Sequence, residues 1–139
     1  MVNSKLSVAI HILSLIASKS SEHISSESIA ESVNTNPVVI RKICGLLRKR
    51  GILTSRAGVS GATLLIPPSQ LSLLDIYLAV QTKQELFAVH EHSNPDCPIG
   101  RKIHFTLKNK FHIIQKELEK ELAQTTLLDV MEDMHLPVC

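Results

Sequence analysis

Six of the fifteen Lys and Arg residues fall between positions 41 and 56, a stretch without any Asp or Glu. Lysine and arginine side chains bind nucleic-acid phosphates, and arginine can also donate two parallel hydrogen bonds to guanine in the major groove. The net charge of the whole chain is only +2, so a nucleic-acid role would depend on this local cluster. The cluster consists of Arg41, Lys42, Arg48, Lys49, Arg50 and Arg56.

A second set of reactive side chains lies further along the chain, where Cys97 is accompanied by His90, His92 and His104. A mixed His and Cys site for zinc or iron is chemically conceivable, but the spacing is a weak signal and we expect no metal site. Cys97 precedes Pro98 near the expected start of a helix, a position that can lower a thiol pKa, which makes it a candidate redox switch. Three widely spaced cysteines argue against a secreted disulfide framework.

The basic cluster begins in a segment that carries helix signals at both ends. Asn36 is a good N-cap, Pro37 suits the first helical position, and Gly51 is a typical stop. Helical spacing gathers four apolar residues on one face: Ile40, Ile43, Cys44 and Leu47. The opposite face carries Val38, Arg41, Lys42, Gly45, Arg48 and Lys49. This pattern predicts a helix that fits the major groove, and a solvated amphipathic helix with basic ends is the alternative.

Two helices are predicted before the basic helix, and a hairpin after it. Apolar residues at helical spacing indicate a first helix over residues 4–18, and Ser25 or Ser26 can cap a short second helix that ends at Val33. A turn then leads into the basic helix, which completes a helix-turn-helix arrangement. Residues 52–54 and 63–66 are typical of two short strands, so we predict a wing whose tip contains Arg56 and Ser60.

The second half of the chain is predicted to be helical. Ser72 and Asp75 resemble a capping box, and the helix that they open either continues through residues 81–91 or is followed there by a second one. A proline-containing loop precedes a long helix from Ile99 to about residue 123. Its apolar stripe is too long to be fully buried by its own chain, so we predict pairing with a second copy; a long helix that lies along its own domain is the alternative. The stripe comprises Ile103, Leu107, Phe111, Ile114, Leu118 and Leu122, preceded by Ile99. Thr126 and Asp129 predict a last, short helix.

Composition excludes several classes of protein. The chain has 139 residues, 44% hydrophobic and 20% charged, which is a globular composition. The longest apolar run is too short to span a bilayer and the amino terminus has no secretory signal pattern, so we expect a cytoplasmic protein without a membrane partner. Scarce aromatic residues disfavour single-strand binding by stacking. No catalytic constellation can be assembled, so we expect no enzyme.

Several segments together are similar to one family. The helix-turn-helix is followed by Gly51-Ile52-Leu53, then by GVSGATLLIPPSQLSLLDIYLAV, a Cys-Pro loop, a long helix and TTLLDVM. This order resembles, essentially end to end, the Rrf-two family of winged-helix transcriptional regulators. The resemblance implies a homodimer bound to a palindromic operator, usually as a repressor. Some members hold an iron–sulfur cluster with three cysteines before the long helix, whereas here only Cys97 remains, so we expect no cofactor.

The sequence therefore favours a mainly α fold with a small β-hairpin wing. We expect a DNA-binding domain over residues 1–68 and a helical region for dimerisation or an effector over residues 69–139. The expected contacts with double-stranded DNA are Asn36, Val38, Val39, Arg41, Lys42, Lys49, Arg56 and Ser60. Two alternatives are a winged-helix module that binds protein and a redox or metal sensor that acts through Cys97. The sequence does not indicate the effector.

Overall fold

The computed structural model describes residues 4–18, 24–54, 62–81 and 86–135. In its first half, three helices precede a small hairpin, as the sequence predicted. The helices are α1 (Lys5–Ser18), α2 (Ser26–Val33) and α3 (Pro37–Lys49). The strands β1 (Leu53–Thr54) and β2 (Thr63–Leu64) pair antiparallel, with Leu53 opposite Leu64 and Thr54 opposite Thr63.

The end of α3 fixes the direction in which the hairpin leaves. Gly51 has a φ of 79°, a conformation that glycine adopts without steric strain. Its N–H donates to the carbonyl of Arg48 at 3.0 Å, and the N–H of Ile52 donates to the carbonyl of Leu47, also at 3.0 Å. These two bonds form a Schellman motif, in which Leu47 and Ile52 are both buried. The chain therefore turns directly from α3 into β1.

The second half contains three more helices in the described part of the chain. A 3₁₀ turn over Pro68–Gln70 precedes α4, and both predicted capping boxes are present: Ser72 with Asp75 at the start of α4, and Thr126 with Asp129 at the start of α6. The helices are α4 (Leu73–Val80), α5 (Pro98–Gln124) and α6 (Leu127–Asp133). None of the helices among the described residues is long and apolar enough to cross a membrane.

The predicted helix over residues 81–91 is wrong for the part of it that the structure describes. The last helical residue of α4 is Val80, Gln81 is extended, and residues 86–90 have no regular helix. This segment instead lies along α5, where the Leu86 N–H donates to Oε1 of Gln115 at 3.1 Å and the rings of Phe87 and Phe111 are 5.5 Å apart. These contacts with a distant helix decide the conformation of the segment, although its apolar residues are at helical spacing.

One core joins the two ends of the described chain. Its buried residues come from α1, α2, α3, β1, α4 and α6, and include Leu127 and Met131, both fully buried. The N–H of Leu127 donates to the carbonyl of Leu71 at 2.8 Å, so the start of α6 is bonded to the segment before α4. In α5, by contrast, Gln115 is the one buried residue. The long helix therefore lies outside the core, and a domain division at residue 68 stays a prediction.

Candidate nucleic-acid interface

The N-terminus of α3 is built from a cap and exposed apolar residues. Asn36 is in an extended conformation, and its Oδ1 accepts the Val38 N–H at 2.8 Å, which confirms the predicted cap. Pro37 occupies the first turn. Val38 and Val39 are both exposed, Val38 to 61%. Exposed valine side chains at a helix start can contact the methyl group of thymine in a major groove.

The two faces of α3 separate as the sequence predicted. The buried residues of α3 are Ile40, Ile43, Cys44 and Leu47. These side chains hold the helix on the core, while Arg41, Lys42 and Lys49 are exposed. The helix therefore presents cations to solvent along a surface whose orientation is fixed by packing. Such a surface suits a polyanion.

An acid from another helix modifies this basic surface. Nη1 of Arg41 lies 3.5 Å from Oε1 of Glu27, which is in the first turn of α2, so the two side chains form an ion pair. Both side chains are exposed, and exposed pairs contribute only ~0–1 kcal/mol. The pair can therefore hold the guanidinium near the surface and still release it to DNA. Sequence reasoning missed Glu27, because only the packing of α2 beside α3 brings the two residues together.

The wing is described only at its base. Three residues separate the end of α3 from the first of the paired strands, which places the hairpin beside the basic helix. The two predicted DNA contacts at the tip, Arg56 and Ser60, lie outside the described residues. Their contacts with DNA stay predictions.

The predicted stripe on α5 is partly covered by its own chain and partly open. Four of its residues are half-buried: Leu107, Phe111, Leu118 and Leu122. Ile103 and Ile114 remain 37% and 48% exposed, and Ile99 is more exposed still. Since α5 contacts the rest of the described chain mainly through α4, one apolar edge of the helix has no partner within the described chain.

Cys97 and Cys44 occupy opposite environments. Cys97 is the exposed N-cap of α5, and hydrogen bonds from the backbone N–H groups of Gly100 and Ile99 hold its pKa below the usual range. Burial raises the pKa of Cys44, and the nearby Arg48 charge offsets only part of that effect. The thiol of Cys97 is therefore the more readily ionised of the two.

This difference predicts selective alkylation. In a Cys139→Ser background at neutral pH, iodoacetamide should modify Cys97 at least tenfold faster than Cys44. Cys97 has the larger fraction of thiolate and is more accessible to the reagent. The rate at Cys97 should rise with pH earlier than that of an unperturbed thiol, since a lower pKa gives thiolate at lower pH. Peptide mass spectrometry at several pH values measures both rates. In urea the two rates should converge, and equal rates in the folded protein would contradict the assignment.

Comparison with known proteins agrees with this architecture. The family model described as "Rrf2: Iron-dependent Transcriptional regulator" matches residues 2–133. A Bacillus subtilis (strain 168) protein, provisionally named HTH-type transcriptional regulator YwnA, is 56% identical over 134 residues, which are 96% of this chain and 99% of that protein.

Two solved structures are similar over nearly the whole chain. One, provisionally described as a DNA-binding protein, is 52% identical, with a TM-score of 0.78 over 92% of this chain and 99% of the other. A provisionally assigned transcriptional regulator from Lactobacillus plantarum is 27% identical, with a TM-score of 0.82 over 95% and 90% of the two chains.

The fold and the basic face of α3 define a DNA-binding transcriptional regulator of the winged-helix class. More particularly, the chain belongs to the Rrf2 family. This confirms the family predicted from the sequence. It also confirms that the chain is a regulator and not an enzyme.

The family description implies iron, and the residues present do not fit an iron–sulfur cluster. Within residues 4–18, 24–54, 62–81 and 86–135, no three His, Cys, Asp or Glu side chains gather where they could hold a metal ion. Cys97 stands alone before α5, and Cys44 is buried in the core. A cluster of the cysteine-ligated kind requires several thiolates, and the described residues do not bring them together.

Proposed function

We propose that this chain is a sequence-specific repressor that binds a palindromic operator as a homodimer in the cytoplasm. The observation that carries the proposal is α3, whose apolar face is buried while its start and its cations face solvent. A fixed, exposed, basic helix is the element that winged-helix proteins insert into the major groove. Repression and the palindrome are supported by the family resemblance.

Individual side chains have different roles in this proposal. Arg41 lies one helical turn from the N-terminus of α3 and is placed to donate two hydrogen bonds to guanine after it leaves Glu27. Val38 contacts a thymine methyl group. Lys42 and Lys49 bind phosphates, which fixes the position of the helix in the groove without reading sequence.

The homodimer rests on the open apolar edge of α5. A helix of 27 residues is ~40 Å long, and its exposed isoleucines lie on the side that α4 does not cover. Pairing of two copies about a twofold axis would bury this edge against itself. The same axis would place two α3 helices on successive major grooves, roughly 34 Å apart, which explains a palindromic operator.

Two alanine variants test the assignment of the groove. Arg41→Ala should weaken operator binding roughly 5- to 100-fold and bind other sequences almost as the parent does, because a base contact is lost. Lys49→Ala should weaken all sequences alike and reduce the slope of log K against log salt by about one, because a phosphate contact is lost. Fluorescence anisotropy with operator fragments selected from genomic DNA measures both.

Lys120→Ala is the matched control, since Lys120 is an exposed cation on α5. It should bind as the parent does. If Arg41→Ala and Lys49→Ala also bind as the parent does, α3 is not the reading helix. DNA binding that is uniformly weak, together with a stable protein partner, would favour the protein-binding module instead.

Cys97 supports a second candidate function, redox regulation of operator binding. Its thiol is exposed, and the backbone N–H groups of Gly100 and Ile99 lower its pKa, which favours the thiolate. Attack of that thiolate on hydrogen peroxide would form a sulfenic acid and release hydroxide. Peroxide should then change the operator affinity of the parent and leave Cys97→Ser unaffected. An equal response of both proteins would remove this function.

A further inference from the structure

A cavity of about 500 Å³ lies between α5 and segment 86–91, which has no regular secondary structure. Its volume is in the range of sites that bind small molecules. One wall comes from residues 87–91 and the other from α5 residues between positions 104 and 115. The cavity thus exists because this segment lies beside α5 and is not helical.

Three phenylalanines line the cavity. The rings of Phe87 and Phe111 are 5.5 Å apart and inclined at 40°, which makes one apolar wall. Phe105, one helical turn and a half earlier on α5, is 70% exposed and has no aromatic partner among the described residues. Phe105 lines the same cavity as this pair and is largely exposed, which leaves its ring free to contact a flat apolar group, since aromatic rings gain by stacking on one another.

The polar groups of the lining favour an anion over a cation. Lys108, His104 and His112 line the α5 side, and Glu91 is the one acid among the lining residues that the structure describes. Within the described residues no carboxylate lies close enough to Lys108 to form an ion pair. An ammonium group beside apolar walls, with no carboxylate partner in the described part of the chain, can bind a carboxylate or sulfonate.

Gln115 connects the lining of the cavity to α4. Gln115 is buried, its Oε1 accepts the Leu86 N–H at 3.1 Å, and its Nε2 donates to the hydroxyl of Tyr77 at 3.3 Å. Tyr77 belongs to α4, and α4 packs against both α5 and α3. A molecule in the cavity would therefore contact a residue that is hydrogen-bonded to the helix supporting the DNA-reading element.

The cavity and the open edge of α5 are on different sides of the helix. At 100° per residue, Lys108 and His112 lie more than 90° from Ile103 and Ile114. Phe111 is the one member of the predicted dimer stripe that also lines the cavity. Pairing of two α5 helices through the stripe therefore leaves the cavity accessible.

We propose that this cavity is a binding site for a small planar aromatic anion, with the rings between Phe105 and the Phe87–Phe111 pair and the acid group at Lys108. Binding of such an anion does not depend on the proposed DNA function. A role of the bound anion as an effector does depend on that function, because the anion would act on α3 through Gln115 and α4.

The test uses a matched pair of fluorescent probes and no DNA. The anion 8-anilino-1-naphthalenesulfonate and the uncharged N-phenyl-1-naphthylamine share their ring systems and differ in the sulfonate. The anion should bind at one site per chain, and Lys108→Gln should weaken it about tenfold while leaving the uncharged probe unchanged. Phe105→Ala should weaken both probes. Lys102→Gln, an exposed lysine on the same helix outside the lining, is the control.

The contrary results are equally specific. Equal effects of Lys108→Gln and Lys102→Gln on the anion would overturn the site, as would the absence of saturable binding. Binding by a monomeric variant but not by the dimer would show that a partner copy fills the cavity, and would also overturn it. Loss of operator binding in Arg41→Ala with unchanged probe binding would support independence of the two sites.

Discussion

An Ile103→Glu, Ile114→Glu double variant is expected to be monomeric and to bind its operator more than a hundredfold more weakly than the parent. Both side chains are already substantially exposed in the single chain, so the variant should fold normally. In a dimer the two glutamates of each copy would enter an apolar interface, where unpaired charges are destabilising by several kcal/mol. The variant therefore tests dimer formation without disturbing the fold of the single chain.

The loss of DNA affinity follows from the loss of one of two half-sites. In a dimer, the second α3 binds at a high effective concentration once the first is bound, a gain of roughly 10²–10⁴ in affinity without any new kind of contact. A monomer retains only the contacts of one half-site. The affinity of the monomeric variant for a DNA fragment that contains one half-site should equal the affinity of one parent subunit for the same fragment.

Light scattering measures the mass of the protein in solution, and fluorescence anisotropy measures its affinity for the operator. Ile113→Glu is the matched control, because this isoleucine is the next residue to Ile114 and points about 100° away from it. It should remain dimeric. If the double variant stays dimeric, or if Ile113→Glu dissociates equally, the predicted stripe is not the interface.

Leu127→Ala should lower the free energy of unfolding by about 2–5 kcal/mol, the range found when a fully buried leucine is truncated. Leu127 lies in α6, in contact with a core that includes residues of the DNA-binding half. The midpoint of thermal unfolding should fall by roughly 10 °C for a chain of this size. Urea unfolding followed by circular dichroism gives the free energy directly.

This variant also tests the division of the chain at residue 68. Because α6 and α1 contribute to one core, the whole chain should lose structure in a single transition. Leu128→Ala is the control: Leu128 is only half-buried and should lose less stability. Two transitions, with residues 1–68 still folded after the first, would show that the core residues of α6 do not stabilise the DNA-binding half.

Local signals in the sequence were sufficient for most helix ends. The caps at Asn36, Ser72 and Thr126, and the stop at Gly51, were all correct. Each depends on a side chain and backbone groups within three residues of it, so no distant contact is needed to specify it. The apolar and basic faces of α3 were predictable for a similar reason, since helical periodicity alone assigns them.

The failures all involve residues far apart in the chain. Segment 86–91 has helical spacing but is not helical, because Leu86 and Phe87 contact α5 residues more than twenty positions away. The pairing of Glu27 with Arg41 and the cavity beside Lys108 also arise from packing of separate elements. Pattern reasoning carries no information on such distances.

The sequence by itself determined the order of helices, the hairpin after α3, the family and the cationic face that suits DNA. Only the tertiary structure decided which part of the α5 stripe stays exposed, which acid holds Arg41, and where a small molecule has space to bind. The physical reason is that caps and periodicity act over one or two turns, whereas exposure and cavities depend on which distant elements pack together.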